Sequence, residues 1–168
     1  MNSSEYRLFS CCLLAKKLQL ESCRGNLDNV KILVKEIGVH ANDNIALKCA
    51  SRYNRLEIVK FLVKNGADIH AQNDYALSTA IYHGYLEIVK FLVKNGANIH
   101  VNSDDGLRLA SQIDNVELTK FLVMQGCSIY KLTTRTMPNL YFNAGFMSLL
   151  IDKGCDLNII RNLSLIHI

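Results

Sequence analysis

The chain carries little that would break a helix: a single Pro and nine Gly in 168 residues. That excludes collagen-like and proline-rich architectures and fits a mostly helical chain. It has no apolar run near the roughly 18–20 residues that a membrane span needs, so no membrane partner is expected. The best candidate for an export signal, Leu8 to Ala15, follows Glu5 and is closed by Lys16 and Lys17 without a small-residue cleavage site. It reads as a helix face. The six cysteines, Cys11, Cys12, Cys23, Cys49, Cys127 and Cys155, show no C-x-x-C spacing. With no export signal they are expected to be reduced, buried or half-buried thiols of a cytoplasmic or nuclear protein. Charge of one sign is also scarce: 19 basic against 15 acidic residues give a net +4, too mild to point to nucleic acid.

Catalytic signatures are missing as well. There is no G-x-S-x-G, H-E-x-x-H, phosphate-binding loop or G-x-G-x-x-G, and nothing nominates a nucleophile with its base. No enzyme activity and no cofactor are expected. Disorder is excluded as the dominant state, because 49% hydrophobic residues supply ample apolar surface to bury.

What the chain does have is an internal repeat. Leu56 to His70 reads LEIVKFLVKNGADIH, and Leu86 to His100 matches it at 14 of 15 positions. Val116 to Tyr130 keeps its Glu, Lys, Phe, Leu, Val, Gly and Ile, at the same spacing of 30. A second element recurs upstream of each copy: Asn44 to Ala50, Asp74 to Ala80 and Asp104 to Ala110. Each unit reads as two short helices. Asn44, Asp74 and Asp104 are expected to cap the first helix. The second, Glu57 to Asn65 in the first full copy, is apolar round most of its circumference, with a polar stripe of only Glu57, Lys60 and Lys64. So short and apolar a helix needs neighbours on two sides, as stacked repeats provide. Gly66, Gly96 and Gly126 then end the second helices in a left-handed conformation.

Gly84-Tyr85-Leu86-Glu87-Ile88-Val89 and Gly66-Ala67-Asp68-Ile69 resemble the ankyrin repeat. The first half departs from the family pattern: Thr-Pro-Leu-His is missing, and the period is 30, not 33. The resemblance therefore implies an all-α, ankyrin-type solenoid of stacked helix-turn-helix repeats with shortened or absent β-hairpins. The Lys-, Asn- and Ile-rich wording looks like that of ankyrin-repeat proteins of giant DNA viruses of amoebae, which are mimivirus-like. The expected organisation is one domain, 1–168. A degenerate N-terminal repeat over 1–41 precedes full repeats over 42–71, 72–101 and 102–131. A degenerate C-terminal repeat with an apolar tail follows over 132–168.

Three features bear on function. His40, His70 and His100 recur at 30, but stacked repeats sit about 8–10 Å apart, too far for one column to share a metal ion. They are read as structural loop histidines. Lys60, Lys64, Lys90, Lys94 and Lys120 form a ladder mixed with Glu57, Glu87 and Glu117, which reads first as a solvated stripe. The third feature is variation against a fixed framework, at Ile45/Tyr75/Asp105, Lys48/Ser78/Arg108, Arg52/Tyr82/Gln112 and Tyr53/His83/Ile113. The resemblance implies that first-helix positions line a concave binding face. Partner-binding candidates are therefore Arg52, Tyr53, Tyr75, Tyr82, His83 and Arg108, with Tyr and Arg the usual interface anchors. The expected function is a non-catalytic protein–protein interaction module. It would be monomeric and cytoplasmic (in the host cell if the chain is viral), with a protein partner, of the host in that case. The rival is a binder of nucleic acid or an anionic surface through the lysine ladder.

Overall fold

A computed structural model describes residues 3–113, 115–128, 148 and 151–152. Among them lie eight α-helices: α1 (Ser3–Arg24), α2 (Leu27–Ile37), α3 (Ala41–Arg52), α4 (Leu56–Lys64), α5 (Ala71–Tyr82), α6 (Leu86–Lys94), α7 (Val101–Gln112) and α8 (Val116–Met124). No strand occurs among the described residues. Odd-numbered helices are the first of each repeat and even-numbered helices the second. Pro138, Cys155, the apolar tail and most of the degenerate C-terminal copy lie outside the described residues, as does the side chain of Asp104.

The helices fall into two compact units. One comprises Met1–Ala80 with Glu87–Asn98, the other Ile81–Leu86 with Ile99–Ile168. In the first, α1 packs on α2 and α3, α3 packs on α4, and α2 meets α4. Its core is a set of columns at a spacing of 29–30. Leu18, Leu47 and Leu77 are buried on the first helices, as are Leu33, Leu62 and Leu92 on the second. Small residues let the first helices approach: Ala46 and Ala50 of α3 are fully buried. In the second unit Leu107, Ala110, Leu118 and Leu122 are buried where α7 packs on α8. There a Cβ on Gly106 would come within 3.0 Å of Ile81 Cδ1, so the small residue again sets the approach.

The second helices match their sequence pattern. In α4, Ile58, Val59 and Leu62 are buried while Glu57, Lys60 and Lys64 face out. Gly66, at φ +90°, closes the helix. Its N–H donates to Val63 O at 3.0 Å, and the Ala67 N–H donates to Leu62 O at 3.0 Å. This crossed pair is the Schellman arrangement, and it satisfies carbonyls the helix end leaves free.

The helix starts differ from the capping expected at Asn44 and Asp74. Asn42, Asp43 and Asn44 all have φ between +52° and +58°, and Gln72, Asn73 and Asp74 repeat this. Such left-handed triplets suit Asn and Asp better than most side chains. They turn Asn44 and Asp74 away from their own helices. Instead the Asn44 Oδ1 accepts from the Asp68 N–H and the Asp74 Oδ1 from the Asn98 N–H, each at 3.0 Å and 24 residues downstream. The histidine column joins this latch: His40 Nδ1 lies 3.2 Å from Asn44 Oδ1, and His70 Nδ1 lies 3.1 Å from Asp74 Oδ1. These two repeats thus tie the closing loop to the start of their own first helix, where the resemblance expects shortened or absent hairpins.

The expectation of buried or half-buried thiols holds for Cys23, Cys49 and Cys127, but Cys11 and Cys12 are exposed. The buried positions of α1 that are described begin at Ala15 and continue through Leu18, Glu21 and Ser22, so the two cysteines precede the packed stretch. Burial, reinforced by the Cys23 thiol beside it, pushes the Cys49 thiol up to about 12. Glu21 goes the other way. Hydrogen bonds from Asn29 and Arg24 hold its carboxyl below the usual range and close the end of α1 against α2.

Candidate binding surface

The variable positions of the first helices stand out from this framework. In the first unit Arg52 is exposed at the end of α3, and Tyr53 follows it with 47% of its surface free. The Arg52 guanidinium lies 5.9 Å from the centre of the Tyr53 ring. Tyr75, on α5, is 39% exposed. Lys48 Nζ sits 3.9 Å over its ring and 3.4 Å from Gln72 Oε1, to which it donates. That contact joins the first helices of two neighbouring repeats. It also fixes a long side chain that would otherwise lose rotamer freedom only on binding. Neither Lys48 nor Gln72 was among the six candidates. The signal was available, because Lys48 belongs to a variable column.

In the second unit Tyr82 is 57% exposed and His83 is exposed beside it. Their rings meet edge-on, 5.1 Å between centres, and His83 stacks on Tyr85 at 5.6 Å and 19°. Tyr85 completes a three-ring array that the repeat alignment hid, since it sits in the turn and not on the first helix. The turn is held from α8: the Asn115 Nδ2 donates to Gly84 O at 3.1 Å. Arg108 is less available than its neighbours. Its Nε donates to Asp105 Oδ1 at 3.2 Å and its Nη1 to Gln112 Oε1 at 3.1 Å, so a partner would compete with both. Arg52, Tyr53 and Tyr75 thus belong to one unit, and Tyr82, His83 and Arg108 to the other.

The lysine ladder proves to be two columns. Lys60, Lys90 and Lys120 each pair with the Glu three residues earlier on their own helix, at 2.7, 2.9 and 3.2 Å. Such exposed pairs contribute little, on the order of 0.3–0.5 kcal/mol, but they do neutralise. Among the described residues, no set of three or more His, Cys, Asp or Glu gathers as a metal site would require, and no helix is long and apolar enough to cross a membrane.

Residues 46–93 and 77–123 each match the family model for ankyrin repeats in many copies. Residues 46–123 are thus similar to ankyrin repeats. A comparison with curated proteins gives no match. Ankyrin repeats generally mediate protein–protein interaction and are typically non-catalytic. The matched segment holds the latch between Asp74 and Asn98, the glycines that close α4 and α6, and all six candidate residues.

Proposed function

We propose that this protein is a non-catalytic interaction module that binds a partner protein through the first-helix faces of its ankyrin repeats. One observation carries the reading. Several positions that differ between first helices present exposed, mutually ordered side chains, with Lys48 held over Tyr75 as the clearest case, while the recurring first-helix positions, such as Leu47 and Leu77 or Ala50 and Ala80, are buried. A surface ordered before contact loses little further entropy on association. Exposed Tyr53, Tyr75 and Tyr82 offer large contact area with few rotatable bonds. The partner in this reading is a protein of the cytoplasm. If the wording of the repeats, similar to that of giant DNA viruses of amoebae, reflects their source, it is a host protein met by a monomer.

The test is affinity capture from a lysate on the immobilised protein and on its Tyr75→Ala, Tyr82→Ala variant. The expected result is a protein retained by the first and lost by the second, with helical circular dichroism unchanged. Capture of the same set by both would overturn the reading.

A further inference from the structure

The second helices of the first unit carry a cationic column that no ion pair among the described residues neutralises. In α2, α4 and α6 the first lysine of each helix is paired: Lys31 with Asp28 at 3.2 Å, Lys60 with Glu57 at 2.7 Å and Lys90 with Glu87 at 2.9 Å. The lysine one turn later is Lys35, Lys64 and Lys94 in turn. All three are exposed, and among the described residues none has an ion pair. The nearest acid in sequence is Glu36, beside Lys35 on α2 and also exposed. Between α4 and α6 the columns border a surface groove of about 230 Å³, floored by half-buried Leu56 and Phe91 and rimmed by Lys60, Glu87, Lys90 and Lys94.

We infer that this face is a second docking surface, taking an extended acidic segment of a partner protein that carries a carboxylate at about every third residue and an apolar side chain for the groove. Three features of the face select that occupant. Its uncompensated charge is positive, so the ligand is anionic. The groove is smaller than the roughly 300–1,000 Å³ of small-molecule sites, and it is partly apolar, so it fits a side chain better than a cofactor. The third feature is spacing. Neighbouring helices of one layer pack about 8–10 Å apart, which sets the interval between successive free lysines. A polyproline II segment rises about 3.1 Å per residue, so every third side chain recurs at about 9 Å on one side. The two repeats match. A nucleic-acid strand carries a phosphate about every 3.4 Å of axis, a denser charge than one free lysine per helix meets, and has no apolar side chain for the floor, so it fits the face less well.

The experiment uses defined probes on the full chain, read by fluorescence anisotropy: a labelled 15-residue peptide of five Glu-Leu-Pro units, an order-scrambled peptide of the same composition, and oligothymidylate of 15 nucleotides. The periodic peptide should bind about tenfold more tightly than either other probe, and its affinity should fall with salt. The variant Lys35→Gln, Lys64→Gln, Lys94→Gln should lose about tenfold while keeping its melting temperature, as three exposed charge pairs would give. The Tyr75→Ala, Tyr82→Ala variant should bind the peptide as the unaltered protein does, which separates this surface from the first-helix face. Absence of binding, equal binding of the scrambled peptide or of oligothymidylate, or indifference to the lysine changes would each overturn the proposal.

Discussion

The N-terminal repeat, α1–α2, and its neighbour, α3–α4, share a framework but differ on the side facing up the chain. Aligned at Leu18 and Leu47, the column that holds Ala46 in α3 holds Lys17 in α1, and the column of Cys49 holds Leu20. Ala46 is fully buried and Cys49 nearly so; Lys17 is exposed and Leu20 is 47% exposed. On the second helices Phe61 is half-buried, whereas its counterpart Ile32 is 56% exposed. The same backbone pattern thus becomes interior or terminal through a few side chains. A short one admits a neighbouring helix, and a long charged one stands in its way. Lys17 makes part of the exposed side of α1 polar.

Exchanging the deciding residue is the severest way to break this comparison. Ala46→Lys should destabilise the protein by more than about 3 kcal/mol in denaturant unfolding, because a charged side chain would be forced into a closed seam. Near-normal stability would show that the seam is not packed as described. Next in size is the contrast of apolar residues on the two repeats. Leu62→Ala, at a fully buried position, should lose about 2–5 kcal/mol, and Ile32→Ala less than about 1 kcal/mol. Equal losses would mean that the end face is covered.

Gly96→Val should cost at least about 1 kcal/mol. Gly96 has φ +102°, and nothing lies within 4 Å of where its Cβ would be, so the penalty is conformational and not steric crowding. Gly96→Asn should therefore recover most of it, as thermal melts can show. The smallest effect belongs to Lys17→Ala, within about 0.5 kcal/mol of the unaltered protein. Its value lies in a second readout: sedimentation should reveal increased self-association once the end face resembles an interior one.

These outcomes rest on features of unequal legibility. The period, the second helices and the helix-ending glycines were readable because each depends on residues close in sequence. The left-handed triplets were not. Asn44 and Asp74 look like helix caps in sequence, and only the closing loop 24 residues on shows what their side chains accept. The candidate surface was half legible. Variation between repeats marked Tyr75 and Tyr82. The ordering of Lys48 over Tyr75 and of His83 against Tyr85 depends on ring geometry that no spacing rule contains.

The near-identity of neighbouring repeats has a consequence for how the chain finds its structure. α4 and α6 are the same nine residues, LEIVKFLVK. Packing energy therefore cannot tell either helix which first helix is its own, and a swapped docking would bury much the same side chains. What discriminates is the tether. Three residues, Tyr53 to Arg55, join α3 to α4, whereas reaching the wrong partner requires closing a much longer loop, at an entropic disadvantage that grows with its length. Fidelity in this array thus rests on the shortness of the connection. Lengthening that turn with a flexible insert would be expected to populate misregistered traps without altering a single native contact.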